Sequence, residues 1–286
     1  MGDILSGLES MGLGNLSSVD LFHDKKEEKK KEAVVNKEPE RKPEEKDFIF
    51  EKDMDCACCG HRFKEKALRP NRMKPKAQDM DLRPRYEELD TLKYTISVCP
   101  LCGYAALSKE FQHLSQAQAR FIKEKISINF TGIKYEGDVY SYDDAIARNK
   151  LALVNSIVKH GKISERAYIC LNLGWLTRGK ADSLDIEGPE KKKILEILSN
   201  EENDYLTKAA EGFGEALMKE SFPICGMNES TFIYLLSALN YETGRYTEAL
   251  KFAERILMNR AISDRIKDKA LKIKEAIFEI KNSRGQ

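Results

Sequence analysis

No window of this sequence approaches the roughly 18 consecutive apolar residues of a membrane span, and no early stretch joins a basic start to an apolar run and a small-residue cleavage site. A soluble, cytoplasmic protein with no membrane association is therefore expected. Histidine occurs only four times, and His23, His61, His113 and His160 are scattered along the chain. HExxH, a Gly-rich phosphate loop and GxSxG are all missing. Without a candidate acid, base and nucleophile in a recognisable order, a non-enzymatic protein is expected. Net charge is also nearly missing, since 48 Lys and Arg oppose 47 Asp and Glu. Such a balance creates no global field for nucleic acid or membrane, so any binding of that kind needs a local patch.

Composition divides the chain into three parts. Residues 1–22 place leucines and other apolar side chains among Gly and Ser, too little surface for a core of their own. Residues 24–47 carry nine basic and nine acidic residues with two prolines and no aromatic, the composition of a solvated, neutral linker. A disordered tail over 1–47 is expected, with folded chain starting at Phe48-Ile49-Phe50. Residues 48–108 hold the paired cysteines and the β-prone run TLKYTISV (91–98). From 109 to 286 apolar residues recur at helical spacing, with Gly and Pro confined mostly to junctions.

Seven cysteines, an odd number with no export signal, argue against a disulfide framework and for metal ligation. The stretch DCACCGHRF (55–63) contains three of them, and VCPLCGYA (98–105) contains two. In the second stretch Cys99-Pro-Leu-Cys102-Gly103 forms a knuckle whose glycine tolerates a positive φ and lets backbone N–H groups approach the sulfur. Aligning Gly60 with Gly103 sets Cys59 on Cys102 and Cys56 on Cys99, and leaves Cys58 at the place of Leu101. Cys56, Cys59, Cys99 and Cys102 are therefore the expected ligands of one structural Zn2+, in a closed tetrahedral site of the zinc-ribbon kind. The 39 residues between the pairs exceed an ordinary ribbon. Cys58 reads as a tolerated small side chain; the alternative is a redox-sensitive zinc switch in which it forms a disulfide with a neighbour.

Between the pairs, residues 62–76 carry Arg62, Lys64, Lys66, Arg69, Arg72, Lys74 and Lys76 against one acid, Glu65. Such a run beside a zinc ribbon is the electrostatic footprint of nucleic-acid binding. Phe63 is its only aromatic, and Arg and Lys near four thiolates also offset their charge, so nucleic acid is the second reading.

In the helical part, STFIYLLSALNYETGRYTEALKFAERIL (230–257) reads as a tetratricopeptide-like pair: a first helix closed by Gly244 and a second from Tyr246, brought close by Ser237 and Ala249. Ala209, Phe213 and Ala216 repeat the spacing of a second helix, and Leu173-Gly174 that of a first. Gly174 and Ala209 lie 35 positions apart, so an insert that lengthens the second helix is expected, with Pro189 in its first turn. SYDDAIARNKLALVNSIVKHG supplies a further helix with Tyr142, Ala145 and Ala152. The anchors Ala145, Ala209 and Ala249 follow no fixed period. Trp175 is expected in the core.

The two cysteine clusters, the approach DMDLRPRYEELDTLKY and the passage FPICGMNESTFIYLLSALNYETGRYTEAL together resemble a bacterial family known as a domain of unknown function. That family joins a part with two CxxC pairs to tetratricopeptide-like helices, and the resemblance spans about residues 48–280. It implies a mainly α fold: a tetratricopeptide-like helical array behind a small four-cysteine, zinc-ribbon-like β module. No reaction comes with it. The combined expectation is a protein-binding scaffold or adaptor whose partner is a protein or peptide. MGDILS also fits the Met-Gly-x-x-x-Ser lipidation pattern, a coincidence for a bacterial chain, and residues 1–22 read instead as a docking segment that folds on a partner.

Overall fold

A computed structural model describes residues 43–133 and 135–284; the expectations for the apolar tail and for most of the charged linker lie outside them. Two short antiparallel hairpins come first. Strand β1 (Ile49–Asp55) pairs with β2 (Arg62–Leu68), and β3 (Ile96–Val98) pairs with β4 (Ala105–Leu107). Each CxxC pair forms the turn of its own hairpin. Helix α1 (Gln116–Ile122) follows, opened by a Ser115/Gln118 capping box and continued by a π-helical turn over Lys123–Ser127. Then come α2 (Tyr142–Val158), α3 (Ile163–Asp182), α4 (Pro189–Lys219), α5 (Glu229–Glu242), α6 (Tyr246–Met258) and α7 (Asp264–Arg284). The fold is mainly helical with a small β module near its start. No helix among the described residues is long and apolar enough to cross a membrane.

From α2 onward each helix packs on the next, and small residues set how closely. A Cβ on Gly174 of α3 would stand 2.7 Å from Leu206 of α4, and one on Gly212 of α4 would stand 2.9 Å from Ala167 of α3. Between α5 and α6 the Ser237 hydroxyl donates to the Ala249 carbonyl at 2.8 Å, with both residues fully buried. Gly244, at φ +74°, turns the chain between them, a backbone conformation that costs glycine little. The insert before Ala209 lengthens α4 to 31 residues with Pro189 in its first turn. Ala209, Phe213 and Ala216 are buried, the first two in one cluster with Leu171, Trp175 and Phe232.

Two expectations need correction. The run TLKYTISV is not one strand: Thr91–Tyr94 is a 3-10 turn whose Asp90 carboxylate accepts from the Leu92 N–H at 3.0 Å, and β3 starts at Ile96. The β-prone residues turn because Lys93 and Tyr94 reach back to Glu45, whose carboxylate lies 2.6 Å from the Lys93 ammonium and 2.7 Å from the Tyr94 hydroxyl. Glu45, assigned by composition to the linker, thus belongs to the packed chain. The second correction concerns residues 129–133 and 135–141, which interrupt the helical part without regular structure and lay Phe130, Tyr135 and Tyr140 over the β module.

A buried ion pair joins that module to α2. Arg148 and Glu65 are almost fully buried and meet at 2.6 Å. Glu65 also accepts from the Tyr140 hydroxyl at 2.7 Å and from the Val98 N–H at 3.0 Å. Arg148 also donates to the Ile96 carbonyl at 2.5 Å and the Tyr135 hydroxyl at 2.7 Å, with the Tyr140 ring 4.2 Å from its guanidinium carbon.

The chain between β2 and β3 leaves the hairpins as a strap of two antiparallel arms, with Pro75 bridged to Tyr86 and the Lys76 N–H donating to the Arg85 carbonyl at 2.8 Å, and its turn at Asp79–Arg83 packs on the face shared by α3, α5 and α7. Asp81 is fully buried there, accepting from Trp175 Nε1 at 2.7 Å and lying 2.9 Å from Arg178 of α3. Tyr234 of α5 donates to the Met80 carbonyl at 2.7 Å. Leu82, at φ +68°, packs against the apolar clusters on both sides of α5. Arg83 is buried between Asp90 at 2.8 Å and Asp182 at 3.4 Å. Arg178 also meets Asp79, Glu202 and Glu242.

Both sets of buried charge have measurable consequences. Arg148→Met leaves the Glu65 carboxylate buried without a counter-charge and is expected to cost about 3–5 kcal/mol in a urea titration; adding Glu65→Gln to that variant should recover part of the loss. At the strap, burial and the neighbouring Asp81, Glu202 and Asp79 outweigh the Arg178 guanidinium and push Glu242 up to about 7. Because the folded form holds its proton to higher pH than the unfolded form does, this group costs stability as pH rises from the ordinary carboxylate range through about 7. Glu242→Gln should therefore raise the melting temperature at pH 8 and leave it unchanged at pH 4; a gap that widens on acidification would contradict this.

Candidate metal centre

The two hairpin turns are built alike. In the first, the Cys56 N–H donates to the His61 carbonyl at 2.9 Å and the Gly60 N–H to the Cys56 carbonyl at 2.8 Å. In the second, the Cys99 N–H donates to the Tyr104 carbonyl at 2.8 Å and the Gly103 N–H to the Cys99 carbonyl at 3.1 Å. Gly60 and Gly103 take φ of +76° and +71°, the left-handed region that the alignment of the two clusters requires. Gly103 has a further reason to lack a side chain, since a Cβ there would lie 2.6 Å from the Phe130 ring.

These turns bring four sulfurs together. Cys56 and Cys102 Sγ are 3.6 Å apart, Cys59 and Cys99 Sγ are 3.7 Å apart, and all four lie within 4.8 Å of one another. Thiolates bonded at about 2.3 Å to one tetrahedral ion stand about 3.8 Å apart. The sulfurs are too distant for disulfides and spaced to hold a metal ion. Three of the four cysteines are buried, and Met54, Phe63, Tyr104, Phe111, Ile122 and Ile126 surround them.

With thiols alone the four do not ionise together. Hydrogen bonds from Cys102 and then Cys56 hold Cys99 down to about 2. Cys102 moves far above the thiol range, through its hydrogen bonds with Cys56, Cys58 and Cys99 and through burial. One thiolate thus opposes the next, and a cation is what lets four coexist. The surrounding backbone favours that state, with the Cys58 N–H 3.4 Å from Cys56 Sγ. The second turn is tied down by Ser127 Oγ, which donates to the Cys102 carbonyl at 2.8 Å, and by Asn155 of α2, which donates to the Gly103 carbonyl at 2.9 Å.

Cys58 stays outside the set. It is buried under α1, its Sγ 3.7 Å from the Ala119 carbonyl, whereas Leu101 at the matching place is 61% exposed. His61 also stays outside, stacked on Phe63. His113 pairs with Glu110 on the surface, His160 packs its ring on Phe121, and His23 lies outside the described residues.

The basic run is split rather than gathered. Arg62, Lys64 and Lys66 alternate along β2 with the buried Phe63 and Glu65, and the β1 residues opposite them are Asp55, Asp53 and Glu51. Lys64 pairs with Glu51 at 2.9 Å, and Lys66 donates to the Gly137 carbonyl at 2.8 Å. Arg69 donates to the Ile49 carbonyl at 3.2 Å and lies over Phe50. Arg72 ends a separate 3-10 turn, Lys74 stands 3.9 Å from Glu87, and Lys76 continues into the strap. Sequence reasoning missed Glu65, Arg148, Asp81 and Arg178. For Glu65 a signal was present, because period-two alternation with Phe63 aims it inward.

No curated protein and no solved structure matches this chain. The model of a family described as "Uncharacterized protein conserved in bacteria (DUF2225)" does match it, over residues 49–277. That span takes in both cysteine turns, the strap and the helices as far as α7, and the chain belongs to this bacterial family.

Proposed function

We propose that this protein is a non-enzymatic, cytoplasmic protein-binding scaffold, a tetratricopeptide-like helical array whose β module is held by one structural zinc ion. The observation that carries the reading is the strap. The face shared by α3, α5 and α7 holds the turn of the strap, Asp79–Arg83, through Trp175, Arg178 and Tyr234, and stacked helix pairs use such faces to bind partners. Nucleic acid is the less supported partner, because acids on β1 face the basic residues of β2.

Zinc is favoured by the donor set: four thiolates, tetrahedral spacing and no open position. A closed site gives the ion no role in activating water. Its contribution is to folding, about 10–16 kcal/mol in apparent terms for small zinc modules.

The purified protein is expected to contain about one zinc per chain by mass spectrometry of the metal. Cys58→Ser should retain it, whereas Cys59→Ser and Cys102→Ser should lose it and speed amide exchange in both hairpins. Metal content unchanged by Cys102→Ser would remove the assignment. Affinity capture on the tagged full chain, with and without nuclease, tests the scaffold: a stoichiometric protein partner should survive nuclease, and recovery of nucleic acid alone would refute the reading.

A further inference from the structure

The strap fills only part of the face it crosses. Beyond Leu82 a cavity of about 330 Å³ opens between α5 and the first turns of α7, lined by Leu82, Thr231, Tyr234, Arg265, Ile266 and Lys269. Leu82, Ile266 and the Tyr234 ring make it partly apolar. Arg265 and Lys269 stand one helical turn apart on α7 and add two positive charges. Neither forms an ion pair among the described residues, although Asp264 and Asp268 share their helix. The Lys269 ammonium lies 5.5 Å from the Tyr234 ring centre. Burial first, and then the like charges of Arg265 and Lys272, hold it below the usual lysine range. The opposite end of the same face is acidic, with Asp79, Asp81, Glu202 and Glu242 crowded on Arg178. The unfilled part therefore lacks what the filled part has in excess.

We infer that this cavity binds an acidic, leucine-containing segment of a partner protein, laid along the helices beside the turn of the strap. The inference rests on the scaffold reading and names the chemistry of its partner. The turn of the strap shows that this face accepts both kinds of side chain, the Asp81 carboxylate on donors of α3 and Leu82 on the apolar clusters on both sides of α5. An acidic side chain placed between Arg265 and Lys269 supplies the counter-charge they lack, and a leucine extends the surface of Leu82 and Ile266. Peptide fits better than nucleic acid here. Two cations flanked by Asp264 and Asp268 do not make a phosphate track, and Tyr234 presents its ring to Lys269 rather than to an open stacking surface.

The test is fluorescence anisotropy on the full chain with a labelled Glu-Asp-Leu-Glu-Asp-Leu-Glu peptide, a version with Lys at each acidic place, and a labelled oligothymidine. Saturable binding of the acidic peptide is expected, weakened at least about tenfold by Arg265→Glu with Lys269→Glu and several-fold at about 300 mM salt. The milder Arg265→Ala with Lys269→Ala should weaken it less at unchanged melting temperature. Lys64→Glu with Arg72→Glu, on the β module, should leave it unchanged. Absence of saturable binding, equal binding by the double variant, or tighter binding of oligothymidine at these residues would overturn the inference. Captured partners separate the two failures. A nuclease-resistant partner held equally by wild type and double variant removes this site and keeps the scaffold, whereas no partner for either removes the scaffold itself.

Discussion

The ion pair between Glu65 and Arg148 is the constraint on which the arrangement of the β module depends. Two hairpins of seven and three residues per strand have too little apolar surface to orient each other. Glu65 sits on the first hairpin and accepts from Val98 on the second, while Arg148 on α2 donates to Glu65 and to Ile96. One carboxylate and one guanidinium thus fix both hairpins to a helix. Desolvating two charges is costly unless their other hydrogen-bonding capacity is used. Tyr140 and Tyr135 use most of it, with a hydroxyl on each charge and ring faces over the guanidinium, and Arg148 Nε is left buried without a partner. Residues 135–141, without regular structure, deliver those two tyrosines.

The helical part follows a different logic, in which one guanidinium serves an excess of acid. Arg178 lies within ion-pair distance of four carboxylates, two from the strap and two from α4 and α5. Asp81, fully buried, is secured by two further donors, Trp175 Nε1 and the Arg83 N–H at 3.2 Å. Glu242 has no such support, and burial beside three other acids raises its pKa. Leu82 at a positive φ adds backbone strain of about 1–3 kcal/mol for a residue with a Cβ. The turn of the strap is therefore held by specific anchors, against some repulsion and strain.

How much of this was legible in the sequence depended on the range of each interaction. The cysteine frame was readable because its cause is local: a glycine after each second cysteine must take a positive φ, and both do. Helix pairing around Ser237 and Ala249, and the long α4, were readable because small residues and apolar period are local too. In composition Glu65 is only one acid diluting a basic run, since its partner lies 83 residues away. TLKY has strand propensity, and a hydrogen bond to Asp90 together with the distant Glu45 overrides it. DMDLRPR contributed to the family resemblance, yet nothing within it says which helices it crosses.

The long separation between the two cysteine pairs has a physical account. A ribbon needs only a short link from β2 to β3, because the two turns are held side by side. Here the chain instead leaves β2, runs through the buried Asp81 and Arg83 on the helical face, and returns through the 3-10 turn at Thr91–Tyr94 to enter β3. Helix α2 closes this circuit from the other side, with Tyr142 donating to Asp90 at 3.2 Å near its start, Arg148 in its middle, and Asn155 on the second cysteine turn toward its end. The cysteine centre and the strapped face are consequently connected twice, through the covalent chain between the pairs and along one helix. A metal that fixes the turns therefore also fixes both ends of the strap, since β2 and β3 are its two points of departure and return.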